Sequence, residues 1–209
     1  MDTCGGCLCE NDTQEIEKDY RMIVSLFPTP LLHSEFKFKP SLLDWVKDYY
    51  KHSSYHEGNS SSAGWHSEYN LHEEQSFLEH SLLIYSHIAD SIKNISDAPF
   101  CINSMWASVN KPGDYNYSHT HLGVDFSGVL YLQTPFNCGD IVFEDENARF
   151  RYNWKLDQEV KEEKGLHDSV WFHPTPGRCL IFPAHLRHKV ERNNSNEDRI
   201  SIGFNLKFR

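Results

Sequence analysis

Long apolar runs are missing from this chain. No stretch of its 209 residues approaches the roughly 20 consecutive apolar positions a membrane span needs, and the N-terminus has no signal-peptide core. No membrane association and no secretion are expected, and a cytoplasmic location is. Basic residues are scarce: 20 Lys and Arg stand against 30 Asp and Glu, for a net charge of −10. Such a surface repels polyanions, so no nucleic-acid partner is expected. Cysteine is infrequent. Of six, Cys4, Cys7 and Cys9 bunch near the N-terminus, while Cys101, Cys138 and Cys179 lie in or near apolar runs, where a free thiol packs as a small hydrophobe. The bunched set has three of the roughly four ligands a zinc site requires, and no fourth stands nearby. Residues 1–19 therefore read as a loosely ordered, reduced tail. No internal repeat is present.

What remains reads as one domain over 20–209, long enough to bury roughly 70% of its unfolded surface. Ile23 to Phe27 read as a short strand stopped by Pro28 and Pro30. A helix is predicted over about 41–52, capped by Ser41, with Leu42, Leu43, Val46, Tyr49 and Tyr50 as its apolar stripe. Residues 58–64 read as a loop. A second helix is predicted over about 73–94, with Leu78, Leu82, Tyr85, Ile88, Ala89 and Ile92 facing the core. After Pro99 short apolar runs alternate with turn residues, at 101–109, 127–132, 140–144, 169–172, 178–182 and 199–206. That texture predicts a jelly roll or sandwich over about 100–209, so the fold is mostly β with N-terminal helices. The charged stretch 144–168 reads as a surface loop or hairpin.

His119 and His121 stand two residues apart, just before the strand-like run Gly128 to Leu132. On an extended backbone such residues share a face, so both rings can aim at one point, as metal ligands must. A late strand of a jelly roll can bring in a third ligand, and His188 is the candidate. Arg199 and Ser201 share one face of the last strand. A buried arginine requires an anion, and its planar fork suits a carboxylate. Of the other histidines, His52, His56, His66, His72, His80 and His87 read as ordinary loop or helix residues. His167 and His173 read as surface positions.

The stretches LFPTPL (26–31), GWHSEYNLH (64–72), MWASVNKPGDYNYSHTH (105–121), FSGVLYL (126–132), FPAHLRHKVERN (182–193) and DRISIGFN (198–205) together resemble the iron(II)/2-oxoglutarate-dependent oxygenases widespread in marine bacteria and their phages. The resemblance implies a double-stranded β-helix core of cupin-like form, Fe(II), 2-oxoglutarate as co-substrate and O2. In the superfamily signature His-x-Asp/Glu … His … Arg-x-Ser, His119 matches the first histidine and His188 the second. Arg199 and Ser201 match the pair that grips the far carboxylate of 2-oxoglutarate, and Tyr131 falls where a strand tyrosine hydrogen-bonds it. The chain departs from the pattern at His121, which stands where the acid should be. Three occupants of that position stay open: His121 itself, a water, or Asp125 if residues 122–124 loop back. The implied reaction is hydroxylation of a protein side chain or of a small, amino-acid-like substrate. Two rivals are a non-catalytic jelly-roll binding module and a cupin-like metalloenzyme that does not use 2-oxoglutarate. Neither needs Arg199 and Ser201. The oligomeric state is not legible.

Overall fold

The computed structural model describes residues 28–53, 64–148 and 155–209. Cys4, Cys7, Cys9 and the expected strand at 23–27 lie outside them, as does most of the expected loop at 58–64. The described elements run in the order β1 (Leu32–Glu35), α1 (Pro40–His52), β2 (Trp65–His66), α2 (Leu78–Ile92), β3 (Phe100–Asn110), β4 (Asn116–His119), β5 (Phe126–Gln133), β6 (Ile141–Glu144), α3 (Gln158–Lys164), β7 (Ser169–Phe172), β8 (Arg178–Pro183), β9 (His188–Val190) and β10 (Arg199–Phe208). Two short 3-10 turns, Leu71–Glu73 and Gln75–Phe77, lead into α2. Among the described residues no helix is long and apolar enough to cross a membrane.

The strands form two antiparallel sheets, one of six strands in the order β1-β8-β5-β10-β3-β2 and one of four in the order β4-β9-β6-β7. This is the double-stranded β-helix. Alternation along the central strands explains why the six-stranded sheet has two unlike faces. On β10, Ile200, Ile202, Phe204 and Leu206 pack with Met105, Ala107 and Val109 of β3 against Leu42 and Val46 of α1 and Ile84, Ile88 and Ile92 of α2. The residues between them, Arg199, Ser201, Gly203 and Asn205 with Trp106, Ser108 and Asn110, line a cavity between the sheets. A smaller cluster of Ile141, Phe143, Leu180 and Phe182 joins the two sheets, with Ile141 and Phe182 lining the cavity.

The helices differ from expectation in two ways. Helix α1 starts at Pro40, with Lys39 as N-cap and no side-chain cap bond, so Ser41 lies in the first turn. Proline at N1 supplies the required φ and has no N–H to satisfy. In α2 the buried face is Ser81, Ile84, Ile88, Ser91 and Ile92, whereas Leu78, Leu82 and Tyr85 are exposed. Apolar residues surround much of this helix, so periodicity admits two stripes; the one with small serines lets it approach β1, where Ser34 Oγ lies 3.4 Å from Ser91 Oγ. The charged stretch 144–168 carries the short helix α3, ended by Gly165 in the left-handed conformation (φ 64°).

Candidate active site

His119 and His121 do not open the strand that follows them. His119 ends a separate strand, β4, and His121 lies in the turn leading to β5. Strand β4 pairs with β9 so that His119 and His188 are direct cross-strand partners. The turn is fixed on both sides: the His121 N–H donates to the Ala184 carbonyl at 2.9 Å, and the Asp125 N–H to that of Leu206 at 2.9 Å. The three rings meet. Centroids lie 4.3 Å apart for His119 and His188, 5.1 Å for His119 and His121, and 5.2 Å for His121 and His188. Each residue offers one ligand nitrogen, and these lie within 4.8 Å of one another.

The protonation chemistry suits a cation. His119 Nδ1 contacts the Tyr117 carbonyl at 2.7 Å, and His188 Nδ1 contacts that of Leu186 at 2.9 Å. A carbonyl only accepts, so each Nδ1 carries the hydrogen and each Nε2 keeps a lone pair. Burial pushes all three imidazoles down, His121 to about 4 and His188 to about 3, with the charge of His119 adding to both shifts. The rings are neutral at neutral pH, and three neutral imidazoles brought this close could hold a transition metal. The group contains no carboxylate. Asp125 is exposed and its Oδ2 accepts the Phe208 N–H at 2.8 Å, on the end of β10.

The cavity in front of the histidines holds about 380 Å³, within the usual range for small-ligand sites. Arg199, Ser201 and Tyr131 line it. Arg199 is 1% exposed. Its Nη1 donates to the carbonyls of Cys138, Gly139 and Glu191, but its buried Nη2 has no protein partner. Among the described residues no carboxylate pairs with it. Burial lowers its pKa, while the neighbouring Tyr131 and Cys138 act the other way. Ser201 and Tyr131 face each other across β10 and β5. A guanidinium with one edge held by carbonyls and the other unpaired could receive an anion such as a carboxylate.

Among the lining residues that sequence reasoning missed are His66, Trp106 and Asn205. His66 reads as a loop residue because β2 has only two residues and shows no alternation. Trp106 and Asn205 were findable, since each has the parity of an inward residue on its strand.

The fold and the site define a double-stranded β-helix protein with three convergent histidines beside a buried arginine. Residues 104–205, just under half of the chain, match the family model described as "Putative 2OG-Fe(II) oxygenase". No curated protein sequence matches the chain. Several solved structures share the fold. The alpha ketoglutarate dependent epimerase SnoN from nogalamycin biosynthesis superposes with a TM-score of 0.64 at 10% identity, over 86% of this chain and 79% of that one. HygX from Streptomyces hygroscopicus, solved with nickel and 2-oxoglutarate bound, gives 0.60 at 12% identity, over 86% and 83%. A prolyl-4-hydroxylase from Pseudomonas putida gives 0.59 at 12% identity, over 87% and 94%.

Proposed function

We propose that the protein is an Fe(II)/2-oxoglutarate-dependent dioxygenase that hydroxylates a protein side chain or a small, amino-acid-like substrate. The observation that carries this reading is the presence, in one cavity, of three neutral imidazoles and an arginine with an unpaired edge. His119, His121 and His188 would hold the metal. Arg199, Ser201 and Tyr131 would receive the far carboxylate of 2-oxoglutarate, a two-pronged ion pair with hydroxyls beside it. When held there, iron and 2-oxoglutarate would supply, with O2, the oxidising power needed at an unactivated C–H bond. The chain's own part is to hold and orient. The carbonyls of Tyr117 and Leu186 fix two imidazole tautomers, and those of Cys138, Gly139 and Glu191 fix the guanidinium. Phe182 and Ile141 form apolar wall beside the rings and limit water there. Structures of the same fold carry the names prolyl-4-hydroxylase, epimerase and carbocyclase, so the product is a property of the substrate side of the cavity. The free thiols Cys101, Cys138 and Cys179 fit a reducing compartment, the cytoplasm.

Anaerobic addition of Fe(II) and 2-oxoglutarate tests the reading. A weak visible charge-transfer band is expected, appearing only when both are present. Absence of the band at saturating concentrations overturns the assignment.

A further inference from the structure

The inner face of the six-stranded sheet continues past the arginine and the histidines. Register places its residues in rows. His66, Ser108, Ser201 and Tyr131 form one row across β2, β3, β10 and β5. Trp106, Gly203 and Val129 form the next, and Ser104, Asn205 and Ser127 the one after. The Trp106 indole lies over Gly203, where an added Cβ would sit 2.4 Å from the ring.

Two side chains in this wall have polar atoms without a protein partner. His66 is 5% exposed, lines the cavity, and has neither ring nitrogen hydrogen-bonded. Its ring lies nearly parallel to that of Trp106, at 6.3 Å and 19°. Asn205 gives its amide nitrogen to Ser104 Oγ at 2.9 Å, and its buried Oδ1 has no partner. Turning the amide over exchanges the two atoms but still leaves one unpaired. A buried polar atom left unpaired is costly, so such atoms mark where a ligand's polar groups belong.

The cavity's charge is equally informative. Among the described residues lining it there is no Asp, Glu or Lys, and Arg199 is the one fixed charge. With Arg199 engaged by the co-substrate, no other charged side chain among the described lining residues is left to pair with the ammonium or the carboxylate of a free amino acid. His66 and Asn205 lie two strands and four residues apart in register. At about 4.8 Å between strands and 3.3 Å per residue, their Cα atoms are roughly 16 Å apart, the reach of about five extended residues.

We propose that His66 and Asn205 are substrate-recognition residues that hydrogen-bond the uncharged amide groups of a peptide segment, with Trp106 and Tyr69 packing beside it, and that free amino acids are not substrates. A neutral imidazole and a carboxamide each offer a donor and an acceptor, which is what a chain of amides requires. Tyr69 is half-exposed at the cavity's rim, 5.3 Å from Trp106. This inference rests on the co-substrate reading above.

The test uses the full chain with Zn(II) and 2-oxoglutarate, 15N-labelled at histidine and tryptophan. One probe is a pool of N-acetylated, C-amidated pentapeptides of uncharged residues. The other is an equimolar pool of free amino acids. The peptide pool is expected to shift the His66 ring and Trp106 indole resonances, and the free amino acids are not. His66→Phe, which keeps the stack on Trp106, and Asn205→Ala should each weaken the peptide pool's apparent affinity about tenfold. His66→Gln, which restores a donor and an acceptor, should recover part of it. Equal shifts from free amino acids, no shift from either pool, or undiminished peptide affinity in both variants would overturn the inference. The charge-transfer experiment separates the two levels. Without the band the underlying reading fails, whereas a band with an unmoved His66 sinks the recognition proposal alone.

Discussion

At position 121 the chain offers an imidazole where the resemblance leads one to expect a carboxylate, and the two ligands differ by one unit of charge at the metal. A neutral set leaves the bound cation more positive and should strengthen its hold on a dianionic co-substrate. His121→Asp restores the two-histidine, one-carboxylate set and is expected to retain iron. His121→Ala should bind it more weakly, and His119→Ala or His188→Ala should lose most of it while staying folded. Metal content after desalting reads all four, and a wild-type value in His119→Ala or His188→Ala removes that residue from the site. Acid sensitivity belongs to the same scale. His66 and His121 are held to about 4 and His188 to about 3, against 6.5 for a free imidazole, chiefly by burial. The unfolded chain therefore takes up protons that the folded chain refuses. Stability of the metal-free protein should be full above pH 6.5 and fall as pH drops toward 4. Urea midpoints at pH 7.5, 6 and 5 measure this, with a shallower slope expected for His66→Phe. A flat profile would show that solvent reaches these rings.

Individual elements show what the sequence could and could not reveal. Strand β10 was legible because its apolar and polar residues alternate cleanly, and that same alternation singles out Arg199 and Ser201. Strands β2, β4 and β9, at two to four residues, carry too few positions for a period to appear. They are the elements that hold His66, His119 and His188. The histidine pair does converge with His188, but from a strand end and a turn rather than from one extended run. The turn at 137–139 was also invisible, because its role is to present backbone carbonyls to Arg199 and any sequence that turns there can do so. Asn137 and Gly139 both have positive φ, 65° and 85°. A Cβ on Gly139 would fall 2.4 Å from the Glu191 carbonyl oxygen, which is itself an Arg199 partner. Gly139→Ala should lose about 1–2 kcal/mol from the left-handed backbone alone, and should weaken 2-oxoglutarate while sparing the metal. Thermal denaturation and titration of the charge-transfer band read the two effects separately. An unchanged 2-oxoglutarate affinity would show that the cradle does not set the guanidinium's position.

In the whole molecule the site is divided between the two sheets. The β4–β9 pair and the turn after β4, on the four-stranded side, carry the three histidines, whereas Arg199, Ser201 and Tyr131 stand on the six-stranded sheet. A metal alone would tie β4, its turn and β9 together. A 2-oxoglutarate held at one end by that metal and at the other by Arg199 would tie one sheet to the other. Ligand binding to the folded state stabilises it by about 2.7 kcal/mol at 100 times Kd, which for a chain of this size raises the melting midpoint by roughly 5–10 °C. Zn(II) should therefore raise the midpoint on its own, 2-oxoglutarate without metal should raise it little, and the two together should raise it well beyond Zn(II) alone. Arg199→Ala is the decisive variant. Removing the two-pronged contact should lower 2-oxoglutarate affinity by about 2–4 kcal/mol, so the variant should keep the Zn(II) increment and lose most of the second one. Its own midpoint without ligand should also fall, because the three carbonyls that Nη1 serves lose their donor. If the second increment survives in Arg199→Ala, the co-substrate does not span the sheets through this residue, and the buried guanidinium is there to hold the 137–139 turn.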